Sequence, residues 1–134
     1  MTKNVILLEF NELSPTLMNR FISQGHLPHF KRFSEESAIY LTEAAERAPY
    51  LDPWIQWVTV HTGLDFAQHR LERLNEGHTL DAKRVWDLDA EHGEPVWICG
   101  SMNIGSGNGV RGAVMPDPWT THVAPTPPDL KPLP

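Results

Sequence analysis

The sequence is poor in cysteine, in clustered positive charge and in long apolar runs, and each shortage removes a class of protein. A single cysteine, Cys99, excludes an internal disulfide framework and fits a reducing compartment, so cytoplasm is the expected location. Eleven Lys and Arg stand against 17 Asp and Glu, a formal net charge of -6. No basic cluster interrupts that balance, which argues against a nucleic-acid-binding face. No uninterrupted apolar run exceeds four residues, too short for a membrane span or a secretory h-region. His69 and His78 show neither HxxxH nor HxH spacing and read as surface residues. What remains is 134 residues of ordinary globular composition, one domain's worth.

The chain is organised around Val5-Ile6-Leu7-Leu8-Glu9-Phe10-Asn11-Glu12-Leu13-Ser14-Pro15. Four continuous apolar residues predict a central strand of a helix-covered parallel sheet. Glu9, Asn11 and Glu12 then fall at its carboxyl end, where open α/β sheets bind ligands. The plainer alternative is that these three solvate a strand-to-helix turn. Ser14 and Pro15 predict a helix start, with Leu17, Met18, Phe21 and Ile22 as its apolar stripe and Gly25 as its stop. Pro28 opens a second helix with Phe30 and Phe33 inward, and residues 38–42 predict a second strand.

The stretch from Ala48 to Gly63 is the second informative one. Asp52 followed by Pro53 has the form of an N-cap and a first helical residue. Trp54, Trp57, Val58 and His61 share a helical face, and Gly63 ends it. A helix start favours an anion or an activated nucleophile, although a carboxylate there also serves as a plain cap. Asp81 is expected to cap a further helix running to Glu91, with Val85, Trp86 and Leu88 inward. Pro95 to Cys99 predicts a strand, and the βαβ rhythm calls for a parallel sheet.

Gly107-Asn108-Gly109-Val110-Arg111-Gly112 satisfies G-x-G-x-x-G by letter. The fingerprint requires a helix directly afterwards, and Pro116 and Pro118 forbid one, so no dinucleotide cofactor is expected. Seven prolines between 116 and 134 predict an extended crossing segment or a tail. The expected organisation is a domain portion over residues 1–115 followed by this proline-rich segment over 116–134. About three strands, against the roughly five or six typical of a sheet, make the sheet read as incomplete.

Val5 to Pro15, Gly25-His26-Leu27-Pro28-His29-Phe30-Lys31-Arg32-Phe33, Trp57 to Gly63, Gln68-His69, Val85-Trp86-Asp87-Leu88 and Gly93 come in a telling order. Over roughly the first hundred residues this succession resembles the N-terminal part of the alkaline phosphatase superfamily, nearest the type I phosphodiesterases and nucleotide pyrophosphatases. The resemblance implies a three-layer α/β/α fold with a mostly parallel sheet. It implies a hydrolase of small phosphate, phosphonate or sulfate esters that uses divalent metal, usually two zinc-type ions. Asn11 stands where the family's first-strand Asp binds metal, and Glu9 and Glu12 flank it as further candidate ligands. The family's Thr or Ser nucleophile falls on Pro53, which has no reactive group. Adjacent Asp52 is therefore the candidate catalytic residue, as a metal ligand or, through an acyl-phosphate, as nucleophile. The family's remaining ligands lie in its C-terminal half, without counterparts here, so the segment alone is expected to be inactive. The competing expectations are a non-catalytic binding module or degenerate pseudoenzyme on the same scaffold, and a fragment with uncovered sheet edges. An exposed sheet edge, and exposed Trp54 and Trp119, would then mark places of association.

Overall fold

A computed structural model of the chain describes residues 4–105, 109–128 and 130. Among these, helices are α1 (Pro15–Ser23), α2 (Pro28–Glu36), α3 (Pro53–Thr62), α4 (Phe66–His69) and α5 (Val85–Glu91). Two strands, β1 (Val96–Cys99) and β2 (Gly112–Met115), form a small parallel sheet, so the chain is α/β. It divides into two compact units, residues 1–43 and 44–134. None of the helices is long and apolar enough to cross a membrane, among the described residues.

In the first unit, α1 begins as its sequence dictates. The Ser14 hydroxyl accepts the Leu17 N–H at 3.3 Å, and Pro15 takes the position where a missing N–H is harmless. Gly25, at φ +79°, closes the turn after it. The apolar run before α1 departs from expectation. Residues 5–8 form no strand and face solvent, Val5 at 90% exposure and Leu8 at 69%. Residues 38–42 likewise form no strand. Hydrophobicity promotes a strand only when a neighbouring strand takes up its backbone N–H and C=O groups; among the described residues neither segment has one. Phe33 is 68% exposed rather than core, while Phe30 meets Phe10 edge-on with ring centres 6.0 Å apart.

The second unit holds the buried core: Trp86, Ile98, Ile104, Val114 and Val123. β1 and β2 pair in parallel with Val96 opposite Gly112 and Cys99 opposite Met115, and α5 packs on β1. Gly112 is required. It sits at φ +143°, and a Cβ there would lie 2.0 Å from the Val96 carbonyl oxygen. Helix α5 starts at Val85, later than the Asp81 expected. Its first turn is closed from within, Asp87 accepting the Arg84 N–H at 2.8 Å. Only Trp86 of its expected inward residues is buried; Val85 and Leu88 are 43% and 46% exposed, because a seven-residue helix covers the sheet with one face only. The proline-rich segment turns back on the sheet. Thr126 and Val114 exchange both backbone hydrogen bonds at 2.8 Å, and Val123 enters the core.

One polar residue ties the loops together. Asn103 is fully buried, its side-chain carbonyl accepting the N–H groups of Glu76 and Gly77 at 3.1 and 3.2 Å. Its amide donates to the carbonyls of Trp54 and Arg73 at 3.0 and 3.1 Å. The buried Arg84 guanidinium donates to the carbonyls of Gly77 and Asn103, and burial holds it below its ordinary pKa. Four stretches of the chain, at residues 54, 73–77, 84 and 103, thus meet at one side chain and its neighbour.

Candidate active site at the head of helix α3

Helix α3 runs over the ten residues the sequence marks out. Asp52 is extended (φ -62°, ψ 142°), Pro53 is the first helical residue, and Gly63 ends the helix at φ +71° with its N–H on the Thr59 carbonyl at 2.8 Å. The Asp52 backbone carbonyl accepts the first-turn N–H groups of Ile55 and Gln56 at 2.9 and 3.0 Å. Its carboxylate does not cap the helix, and the residue is exposed. The plain-cap alternative therefore fails: an acidic group stands at the positive end of a helix dipole without being consumed by the first turn.

The flank of α3 is braced by polar contacts. The Glu46 carboxylate accepts from the Gln56 amide at 2.9 Å and from the Phe66 N–H at 2.7 Å. Those two bonds, the Phe66 one first, hold Glu46 below the usual carboxylate range. Tyr50 stacks on Phe66 at 4.2 Å between ring centres. Trp54, expected to be exposed, is half-buried and donates its indole N–H to the Glu72 carbonyl at 2.8 Å. Trp119 is exposed as anticipated, and so is Trp97, at 79%.

Two hydroxyl–imidazole pairs lie deeper. Thr59 Oγ1 and His69 Nε2 are 3.3 Å apart, and the Leu71 N–H donates to His69 Nδ1 at 3.1 Å. That backbone donor fixes the tautomer: Nδ1 keeps its lone pair, Nε2 carries the proton, and Thr59 accepts. His69 so held is no base toward Thr59. His61 stacks on Trp57, lies 4.7 Å from Trp86 between ring centres, and meets Ser101 Oγ at 3.3 Å. His61 and Ser101 are 3% and 5% exposed, which keeps them from any substrate. Neither pair is signalled in sequence, since the partners lie ten and forty residues apart.

Burial pushes the His69 imidazole below its ordinary 6.5, against a partial opposing pull from the Glu46 and Asp65 carboxylates. The unfolded chain then takes up a proton at a pH where the folded chain does not. The stability contribution is full above about pH 6.5 and is lost as pH falls through the depressed folded value. Depressed Glu46 acts in the same direction at lower pH. Thermal melts between pH 8 and 5 are expected to show Tm falling below about 6.5, and His69→Gln to flatten that part of the curve. A Tm rising with acid would contradict it.

The other candidate residues belong to the first unit. Glu9 is half-buried, Asn11 and Glu12 are exposed, and residues 11 and 12 form a turn with Glu12 at φ +55°. A strand would aim Glu9 and Asn11 the same way; with no strand there, that alternation does not apply. Asp52 lies in the second unit. As donors, Glu9, Asn11, Glu12 and Asp52 are all oxygen, which suits a hard divalent ion and lacks the imidazoles zinc commonly takes. Among the described residues no group of three or more His, Cys, Asp or Glu gathers as a metal site. Of the G-x-G-x-x-G sequence, Gly107 and Asn108 lie outside the described residues, and Gly112 opens a strand where the fingerprint needs a helix.

Compared with models of protein families, with curated proteins and with solved structures, the chain matches none.

Proposed function

We propose that the chain supplies the N-terminal part of a metal-dependent hydrolase of small phosphate, phosphonate or sulfate esters, phosphodiesterase-like, on a three-layer α/β/α scaffold of alkaline-phosphatase type, acting in the cytoplasm. One observation carries the reading. The carboxylate of Asp52 stands at the start of α3 without capping it, one residue before the family's nucleophile position. The ordered succession of motifs and the α/β character of the second unit support it further.

On this reading the dipole of α3 draws the ester's oxyanion, and Asp52 serves as metal ligand beside it. Pro53 presents no nucleophile, and its ring fixes the helix start. In the first unit, Glu9, Asn11 and Glu12 are the further oxygen donors that the family resemblance implies for a divalent ion. When bound, such an ion lowers the pKa of the attacking group and neutralises charge on the non-bridging oxygens. Association of the small sheet through an exposed edge belongs to the same reading.

The replacement of the nucleophile position by Pro53 favours a second reading, a pseudoenzyme that binds the ester without cleaving it. Metal analysis of the full-length gene product, with assays on p-nitrophenyl phosphate, its bis-ester and the sulfate, separates the two. Turnover that a chelator abolishes supports hydrolysis. Metal-dependent binding without turnover supports the pseudoenzyme, and the absence of both overturns both.

A further inference from the structure

His78 and His122, forty-four positions apart in the chain, face each other with ring centres 4.4 Å apart and planes inclined by 49°. Both side chains belong to exposed residues, and each is next in sequence to a buried one, Gly77 and Val123. Their backbones are tied in place. Asn75 Nδ2 donates to Thr121 Oγ1 at 2.9 Å, the Thr121 N–H returns to Asn75 Oδ1 at 2.9 Å, and the Gly77 N–H is held by Asn103. Two imidazoles are thus presented together on a fixed base, with open solvent around them.

We propose that His78 and His122 form a surface site for a late first-row divalent ion, with Cu²⁺ the tightest binder. The ring spacing carries the argument. A metal about 2.1 Å from each nitrogen lies about 3.2 Å from each ring centre, since the nitrogen is about 1.1 Å from that centre. Two such ligands at a right angle put the ring centres about 4.5 Å apart, and at the tetrahedral angle about 5.2 Å. The observed 4.4 Å leaves room for each ring to turn a nitrogen onto one ion at adjacent positions of a square or octahedral shell, the geometry of Cu²⁺ and Ni²⁺, with water completing it. Zn²⁺ requires the rings to part by under an ångström, which exposed side chains can do. Neutral imidazole suits these ions, and the order of stability places Cu²⁺ above Ni²⁺ and Zn²⁺. The site is separate from the oxygen donors assigned to hydrolysis, and its fate is independent of that assignment.

Calorimetric titration of the chain with CuCl₂ and NiCl₂, and copper EPR of the one-equivalent complex, test it. The expected result is a tightest site of one equivalent, two nitrogen ligands in its spectrum, and Cu²⁺ bound there more tightly than Ni²⁺. His78→Gln and His122→Gln should each weaken Cu²⁺ by at least the roughly tenfold that loss of a merely supporting residue costs a metal site. Asn75→Ala should weaken it less. Both histidines are exposed, so circular dichroism should show the variants folded. Wild-type affinity in either histidine variant, or no one-to-one Cu²⁺ binding in the wild type, overturns the proposal.

Discussion

Asn103→Ala is expected to cost the second unit about 4 kcal/mol or more, a large share of the roughly 5–15 kcal/mol by which an ordinary domain is stable. The side chain makes four hydrogen bonds to four backbone groups and is fully buried. Truncation leaves two N–H donors and two carbonyls without that partner, and each buried group so stranded costs roughly 1–3 kcal/mol. Solvent entering the space offsets part of this, which is why the expectation lies near the lower end of the sum. Asn103→Asp keeps the acceptor and loses the donor, and places a charge where two carbonyls point, so it should be no better tolerated. Urea titration followed by tryptophan fluorescence reads the effect. A midpoint within error of wild type would show that the loops are held by something else.

Trp86→Ala should destabilise the same unit by about 3–5 kcal/mol, the range for deleting a large buried aromatic. Trp86 is 5% exposed, belongs to the cluster of Ile98, Ile104, Val114 and Val123, and forms one wall around His61. Trp86→Phe keeps most of the buried area and should lose about half as much or less. The two losses in urea should therefore differ clearly. A pair of equal, small losses would mean that the cluster does not carry the unit's stability.

The readable parts of the sequence were those decided locally. Ser14-Pro15 and Asp52-Pro53 set helix starts through their own dihedral preferences, Gly63 an end through a left-handed conformation, and Val96 to Cys99 a strand with its partner close at hand. Where a residue's state depends on a distant partner, local pattern misled. Residues 5–8 have the composition of a central strand and lack a ladder among the described residues, so they form no strand and face solvent. Nothing in Gly112 to Met115 beside its prolines marks a strand, yet it pairs with β1, and only a glycine at 112 tolerates the close Val96 carbonyl. Of the site, Asp52 was legible from its place before Pro53; its freedom from capping duty was not, since that depends on rotamer and not on spacing. The meetings of Thr59 with His69, of His78 with His122 and of Asn103 with Trp54 and residues 73–77 join residues ten to forty-nine apart, and nothing in either stretch alone announces them.

The most direct test of the functional reading is the rate of bis(p-nitrophenyl) phosphate hydrolysis by the full-length gene product, wild type against Asp52→Ala and Asp52→Asn. If the head of α3 is where the ester reacts, removing its carboxylate should lower kcat/KM about 100-fold, on the scale of losing one preorganised electrostatic group from an active site. The asparagine variant should fall nearly as far, both proteins remaining folded. Hydrolysis undiminished in both variants would contradict the account.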